Sequence, residues 1–292
     1  MNQFRPWILA ARPPTLWAAV APVLIGSALA HRDGVFRWDA FVVTGLAAVL
    51  IQIGVNYAND YSDGVRGTDS PDRIGPQRAV ASKLVTPQQM RAGIGIVFGL
   101  AALLGLYLAT IAGPVIIVIG AVSIVAALGY TGGPIPYGYR GLGEVFVFVF
   151  FGLVATVGTR FVFDRTAPLD AWVGGVAMGL LATAILIANN IRDLDTDAAA
   201  GKRTLAVKLG RDRTRTLFAA VVYGAFGVVA LSAALQWTPP WTTLALAALP
   251  LGIRLATAIR RAVAGPELIA ALKGTARLQL LVGVLFAAGA LV

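Results

Sequence analysis

Acidic residues are scarce in this chain, 14 in 292, and half of them fall in two short segments. Asp60, Asp63, Asp69 and Asp72 form one segment, and Asp193, Asp195 and Asp197 form the other. Each is led by asparagine at helical spacing: Asn56, Asp60 and Asp63 fall at i, i+4, i+7, and Asn189, Asp193 and Asp197 at i, i+4, i+8. If the apolar span before each segment continues into it, each set lies on one helix face. Asp195 points away from the Asp193/Asp197 face. An amide and two carboxylates are all hard oxygen donors, which suit Mg²⁺, a cation that usually keeps waters or substrate phosphates in its shell. Two such faces turned toward each other would hold a diphosphate through bridging Mg²⁺. One acidic cluster alone is equally well a solvated helix end. Two matching ones, each led by Asn inside an apolar span, point to a site, because polar groups at membrane depth cost free energy and usually serve a function.

Basic residues accompany the acids. Arg66, Arg73, Arg78 and Lys83 follow the first cluster, Arg192, Lys202 and Arg203 flank the second, and Arg140 sits in a Gly/Pro-rich link over 131–142. Arg78, Lys83, Arg140, Arg192 and Lys202 are the candidates to neutralise diphosphate oxygens. Absence of Cys excludes disulfides, zinc-thiolate sites and a cysteine nucleophile. His31 is the single histidine, so a multi-His metal site is excluded too; it takes no assigned role.

The elements that must position these residues are membrane spans. The chain is 58% hydrophobic and 13% charged, with a mean hydropathy of +0.77, against about 25% charged in an ordinary soluble domain. Apolar runs recur from end to end, which predicts an all-α bundle of about nine transmembrane helices in one domain over 1–292. The expected spans are 15–30, 39–58, 91–110, 112–130, 143–163, 168–190, 214–235, 241–259 and 274–292, several near the 20 residues needed to cross about 30 Å of hydrocarbon. Asp60 and Asp193 both follow the cytoplasmic end of a span, with four spans between them, so the chain reads as a repeated four-helix unit plus one helix. The N-terminus imitates a signal peptide, with Arg5 and Arg12 before an apolar stretch and Ala28-Leu29-Ala30 as a mock cleavage site. Pro22 interrupts that stretch and eight spans follow, so a retained helix is expected.

With nine spans, twenty of the 24 Lys and Arg fall on one side, and only Arg32, Arg37, Arg160 and Arg165 on the other. The rich side is then cytoplasmic, with the N-terminus inside and the C-terminus outside. The net charge of +10 reflects topology and attraction to anionic headgroups, not nucleic-acid binding. Gly95/Gly99 and Gly175/Gly179 are spaced for close helix packing.

The segments ARPPTLWAAVAPVLIG, NYANDYSDGVRGTD, GPQRAVASKLVTPQQM, YTGGPIPYGYRGLGE and NNIRDLDTDAAAGKRTLAVKLG run in order through residues 11–210. In them the chain resembles the UbiA superfamily of intramembrane prenyltransferases, and within it the branch that prenylates 1,4-dihydroxy-2-naphthoate in menaquinone biosynthesis. The family's NxxxDxxxD motif maps to Asn56 and Asp60, but its third position is Gly64; Asp63 is the expected substitute, with Asp69 the other candidate. Its DxxxD motif maps to Asp193 and Asp197, and Arg140 falls where members carry a basic residue after the fourth span. The resemblance implies a Mg²⁺ enzyme of a bacterial cell membrane, with Asn56, Asp60, Asp63, Asp193 and Asp197 as metal ligands, Asp60, Asp193 and Arg140 as catalytic residues, and a polyprenyl diphosphate and an aromatic acceptor as substrates. Tyr57, Tyr61 or Tyr130 would face an allylic cation. The same machinery would suit another acceptor, such as 4-hydroxybenzoate or a glycerol phosphate. A secondary transporter also has repeated halves and intramembrane acids, but its acids should lie near mid-span rather than at cytoplasmic ends among basic loops.

Overall fold

Each of the nine apolar stretches is helical in the computed structural model, which describes residues 4–68, 77–262 and 265–292. The helices are α1 (Arg5–Ala11), α2 (Trp17–Arg32), α3 (Trp38–Arg66), α4 (Pro87–Ala112), α5 (Val115–Gly129), α6 (Gly143–Asp164), α7 (Leu169–Arg192), α8 (Leu194–Ala199), α9 (Leu205–Leu209), α10 (Arg211–Ala234), α11 (Pro240–Arg261, opening in a 3-10 turn) and α12 (Gly265–Ala290). Among the described residues seven helices are long and apolar enough to cross a membrane alone, and the α1–α2 pair, bent by 52°, makes up to eight. The bend follows from Pro13 and Pro14, which supply no backbone N–H, and from Arg12 in the left-handed region at φ 51°. The ninth stretch is α5. Its 15 residues reach only about 22 Å at 1.5 Å per residue, short of the hydrocarbon thickness.

Two helix starts differ from expectation by four residues or more. α12 starts at Gly265 rather than 274, because Leu268, Ala271, Leu272 and Thr275 form a buried stripe while Lys273 and Arg277 lie on its outer face. α4 starts at Pro87, where Thr86 and Gln89 cap each other's backbone N–H groups in a reciprocal box.

α7 is the central helix. Met178, Leu181, Ile187 and Ile191 on it are fully buried, and they join one core with Ile25 of α2, Phe218 and Val222 of α10, and Leu278 and Phe286 of α12. A second, smaller core joins α1, α3 and α4 around Tyr57, Val80 and Met90. α4 and α5 present Leu103, Val118 and Val125 outward, the surface expected to meet lipid tails.

Close packing occurs at one of the two expected glycine pairs. Gly152, in a π-helical turn of α6 (Val149–Val154), sits backbone to backbone against Gly175 and Gly179 of α7. A Cβ at Gly179 would lie 2.7 Å from the Phe148 carbonyl. Gly95 and Gly99 are different: among the described residues a Cβ at either would meet nothing within 4 Å, so neither position is held open by a close neighbour.

Candidate active site

A cavity of about 720 Å³ runs into the bundle between α2, α3, α4, α5, α6 and α7. Its depth is apolar, lined by side chains such as Ile51, Val55, Leu106, Ile119, Phe150 and Val154. Its other end is polar, and there the acidic segments meet.

The first segment is a direct continuation of α3, which stays helical through Arg66 and stops at Gly67 in the left-handed region (φ 67°). Gln52, Asn56, Asn59 and Asp63 therefore form one stripe on the cavity wall. Asn56 donates to the Ala11 carbonyl at 2.8 Å, and Asn59 accepts from Thr131 at 2.9 Å.

Asp60 falls off this stripe. It is 1% exposed, and its two oxygens accept the backbone N–H groups of Ala79 (3.0 Å) and Val80 (2.9 Å). One turn on, a Cβ at Gly64 would lie 2.8 Å from Val80. Position 64 thus faces the 79–80 turn, which leaves no room for a side chain there. Asp60 is not on the cavity wall; it anchors the turn that carries Arg78, a correction to its expected place as a cavity-facing ligand.

Asp63 takes that place. Its Oδ1 accepts from the Tyr139 phenol (2.5 Å), Lys202 (3.2 Å) and Thr68 (3.3 Å), and its Oδ2 from Arg78 (3.3 Å). Asp69, Asp72 and Arg73 lie outside the described residues.

The second segment is not one continuous helix. α7 ends at Arg192, Asp193 breaks the helix with ψ near 5°, and α8 begins at Leu194. Asp197 N–H still donates to the Asp193 carbonyl at 2.7 Å, so the four-residue spacing survives the break. Asn189, Asp193 and Asp197 all line the cavity. Arg192 grips Asp193 through both oxygens (2.8 and 2.5 Å) and Asn189 at 2.8 Å, and is itself off the cavity wall. It fixes Asp193 rather than facing substrate. Asp195 is outward and paired with Arg211, as its helical angle predicts.

Lys202 joins the two segments. Its ammonium lies 3.2 Å from Asp63 Oδ1, 3.7 Å from Asp197 Oδ1 and 4.9 Å from the centre of the Tyr139 ring. Arg66 covers that ring at 5.5 Å. Tyr139 was not expected here; Arg140 was. The 3-10 turn Tyr137–Arg140 points Tyr139 inward and leaves Arg140 exposed, with its carbonyl held by Lys208. Lys83 is also exposed, in a left-handed turn conformation (φ 57°). Neither side chain lines the cavity. Burial first, and the charge of Asp63 next, push the Tyr139 phenol up, so it stays protonated and donating at neutral pH.

Of the three tyrosines expected near a cation, only Tyr130 lines the cavity. Tyr57 packs on Trp7, and Tyr61 lies against Arg91. From Tyr130 a row of rings, Tyr137, Phe146 and Phe150, leads along the wall into the apolar depth, with centroids 5.5, 3.8 and 6.1 Å apart in turn. Buried Glu144 accepts from Asn190 at 2.9 Å beside them. The two further tyrosines stand in the sequence as YGY before Arg140, where the charge of the arginine is the stronger signal.

The donor set at the polar end suits Mg²⁺. Asn56, Asn59, Asp63, Asn189, Asp193 and Asp197 all supply oxygen. Among the described residues no three carboxylates converge on one point. A cation held here would therefore complete its shell with carboxamide, water and diphosphate oxygens, the usual manner for Mg²⁺.

The sequence model of the UbiA prenyltransferase family matches residues 19–268. The 1,4-dihydroxy-2-naphthoate octaprenyltransferase of Mycobacterium tuberculosis is 46% identical, covering 100% of this chain and 98% of that protein. Among solved structures, the apo form of a UbiA homolog from Aeropyrum pernix K1 matches with a TM-score of 0.72 at 14% identity, over 94% of this chain and 96% of that one. A UbiA homolog from Archaeoglobus fulgidus bound to GPP and Mg²⁺ matches with a TM-score of 0.64 at 11% identity, over 97% and 99%.

Proposed function

We propose a reaction on one premise: the chain belongs to the UbiA prenyltransferase family. It transfers a polyprenyl chain from polyprenyl diphosphate to 1,4-dihydroxy-2-naphthoate, releasing diphosphate and CO₂ and giving demethylmenaquinol for menaquinone biosynthesis. The acceptor follows from full-length identity to a naphthoate prenyltransferase. The observation that carries the chemistry is the meeting of Asp63, Asp197 and Lys202 at the polar end of a long apolar cavity.

Asn56, Asp63, Asp193 and Asp197 hold the cofactor, with Asp60 and Arg192 positioning them from behind. When bound there, Mg²⁺ would supply charge neutralisation of the diphosphate. Arg78 and Lys202, on the cavity wall, face the leaving oxygens and stabilise charge that grows there in the transition state. The tail lies along the apolar wall. The rings of Tyr130 and Tyr137 face the allylic cation with their negative faces and exclude water from it. The electron-rich acceptor ring then forms the new C–C bond and loses its carboxylate as CO₂. Tyr139 keeps its proton on the Asp63 side and holds that carboxylate in place.

The protein spans a bacterial cell membrane with the polar end of the cavity toward the cytoplasm, supported by the twenty-to-four distribution of Lys and Arg. The N-terminus is then cytoplasmic and, with the short α5 counted as the ninth crossing, the C-terminus external.

An acceptor panel tests the activity. Purified protein given one prenyl diphosphate and Mg²⁺ should prenylate the naphthoate, with CO₂ and diphosphate released in equal amounts. Preference for 4-hydroxybenzoate would overturn the acceptor, and transport of an ion without diphosphate release would overturn the reaction.

A further inference from the structure

Asp63 is crowded. Tyr139, Lys202, Thr68 and Arg78 between them engage both of its oxygens. Asp197 shares the same ammonium. A divalent cation drawn to Asp63 and Asp197 would meet Lys202 already seated between them, and like charges a few ångströms apart in a partly buried site repel strongly. The ammonium and the metal cannot occupy this place together.

The structure also shows how the lysine could leave. Its backbone is anchored: Arg203 N–H donates to the Tyr139 carbonyl at 2.9 Å, and Thr204 caps α9 through Val207 N–H. Its side chain is a flexible four-carbon stem on the cavity wall. It can swing without moving the loop, and the anion available to receive it is the diphosphate.

We infer that Lys202 is a built-in placeholder for the metal. In the metal-free protein its ammonium neutralises Asp63 and Asp197 across the two acidic segments; when metal enters, it is displaced and re-pairs with diphosphate. Metal and diphosphate binding are coupled through this one side chain, because an ejected cation without a new anion is left in a poorly hydrated place. The inference rests on the metal site proposed above.

The test is Mn²⁺ binding, read by electron paramagnetic resonance on the purified full-length protein without prenyl donor. In the absence of diphosphate, Lys202→Gln should bind Mn²⁺ about tenfold more tightly than wild type, within the range of ordinary site-to-site coupling. Lys202→Arg, which keeps a cation, should not. With inorganic diphosphate added, the advantage of Lys202→Gln should vanish or reverse. Equal or weaker Mn²⁺ binding by Lys202→Gln without diphosphate would overturn the exchange. No Mn²⁺ binding by wild type, even with diphosphate, would instead overturn the metal site itself. If Lys202→Gln does not fold, wild type alone decides: acylation of Lys202, read by mass spectrometry, should rise when Mn²⁺ is added and fall when diphosphate follows. Unchanged acylation on Mn²⁺ saturation would overturn the inference.

Discussion

The molecule buries charge at both ends of its bundle, and the two ends are built differently. At the end opposite the acidic segments, Arg160 pairs with Asp164 through two bonds and with Asp33 at 2.7 Å, while Arg32 bridges Asp33 and Asp170 at 2.8 and 2.7 Å. These bonds tie the end of α2 to the end of α6 and the start of α7, and none of the five residues lines the cavity. At the other end the acids and their partners Arg78, Tyr139 and Lys202 form part of the cavity wall. Each cluster holds buried charge, Arg160 and Asp170 in the first and Asp63 and Asp193 in the second, and only the second borders a cavity in which a ligand could replace a partner. Intramembrane charge therefore marks a site only when it borders space.

The comparison breaks most sharply at Asp193. Asp193→Asn should lower turnover by about a thousandfold, the scale of losing a main electrostatic element, with the protein still folded in detergent; near-normal turnover would erase the distinction between the ends. Arg160→Met should do the reverse. Losing the charge-assisted hydrogen bonds from buried Arg160 to the part-exposed acids Asp33 and Asp164 costs about 2 kcal/mol of stability, to be read as earlier thermal unfolding, while turnover per folded molecule stays within about twofold.

Asp60→Asn sits between these extremes. One backbone N–H at 79–80 loses its acceptor, which costs about 1–3 kcal/mol. KM for prenyl diphosphate should rise and proteolysis near residue 80 should increase, with Mn²⁺ affinity retained; loss of Mn²⁺ affinity with KM unchanged would move Asp60 into the metal shell. The smallest effects belong to Arg140→Gln and Lys83→Gln, exposed side chains that should shift steady-state constants by no more than about twofold.

The sequence made the helices legible because apolar runs of near-membrane length have few alternatives. It misplaced the start of α12, where Lys273 and Arg277 read as loop charges although they ride the outer face of a continuing helix. Helical angles also placed Asp63 toward the cavity and Asp195 away from it, since α3 runs on and α8 keeps the four-residue spacing. The same geometry was silent on Asp60. A 40° offset from Asn56 decides nothing until the 79–80 turn is known to pack on Gly64. Tyr139 and Arg140 are neighbours in a 3-10 turn whose facing is set by tertiary contacts, so no periodicity distinguished them. Gly95/Gly99 and Gly175/Gly179 share one spacing, and only the position of a neighbouring backbone separates a packed pair from an open one.

Asp63 and Lys202 are 139 residues apart in the chain. Ribosomes add about 5–20 residues per second, so on the order of ten seconds pass between the synthesis of the carboxylate and that of the lysine that will sit against it. Over that interval Asp63 must wait at the end of a newly inserted helix. Arg78, made within a few seconds at that rate and bonded in the folded protein to the other carboxylate oxygen, is the first partner to be made, and Tyr139 follows roughly midway. The set of side chains is thus complete only once residue 202 is made, before α10, α11 and α12 follow, and a chain released just before residue 202 carries the acids without the lysine.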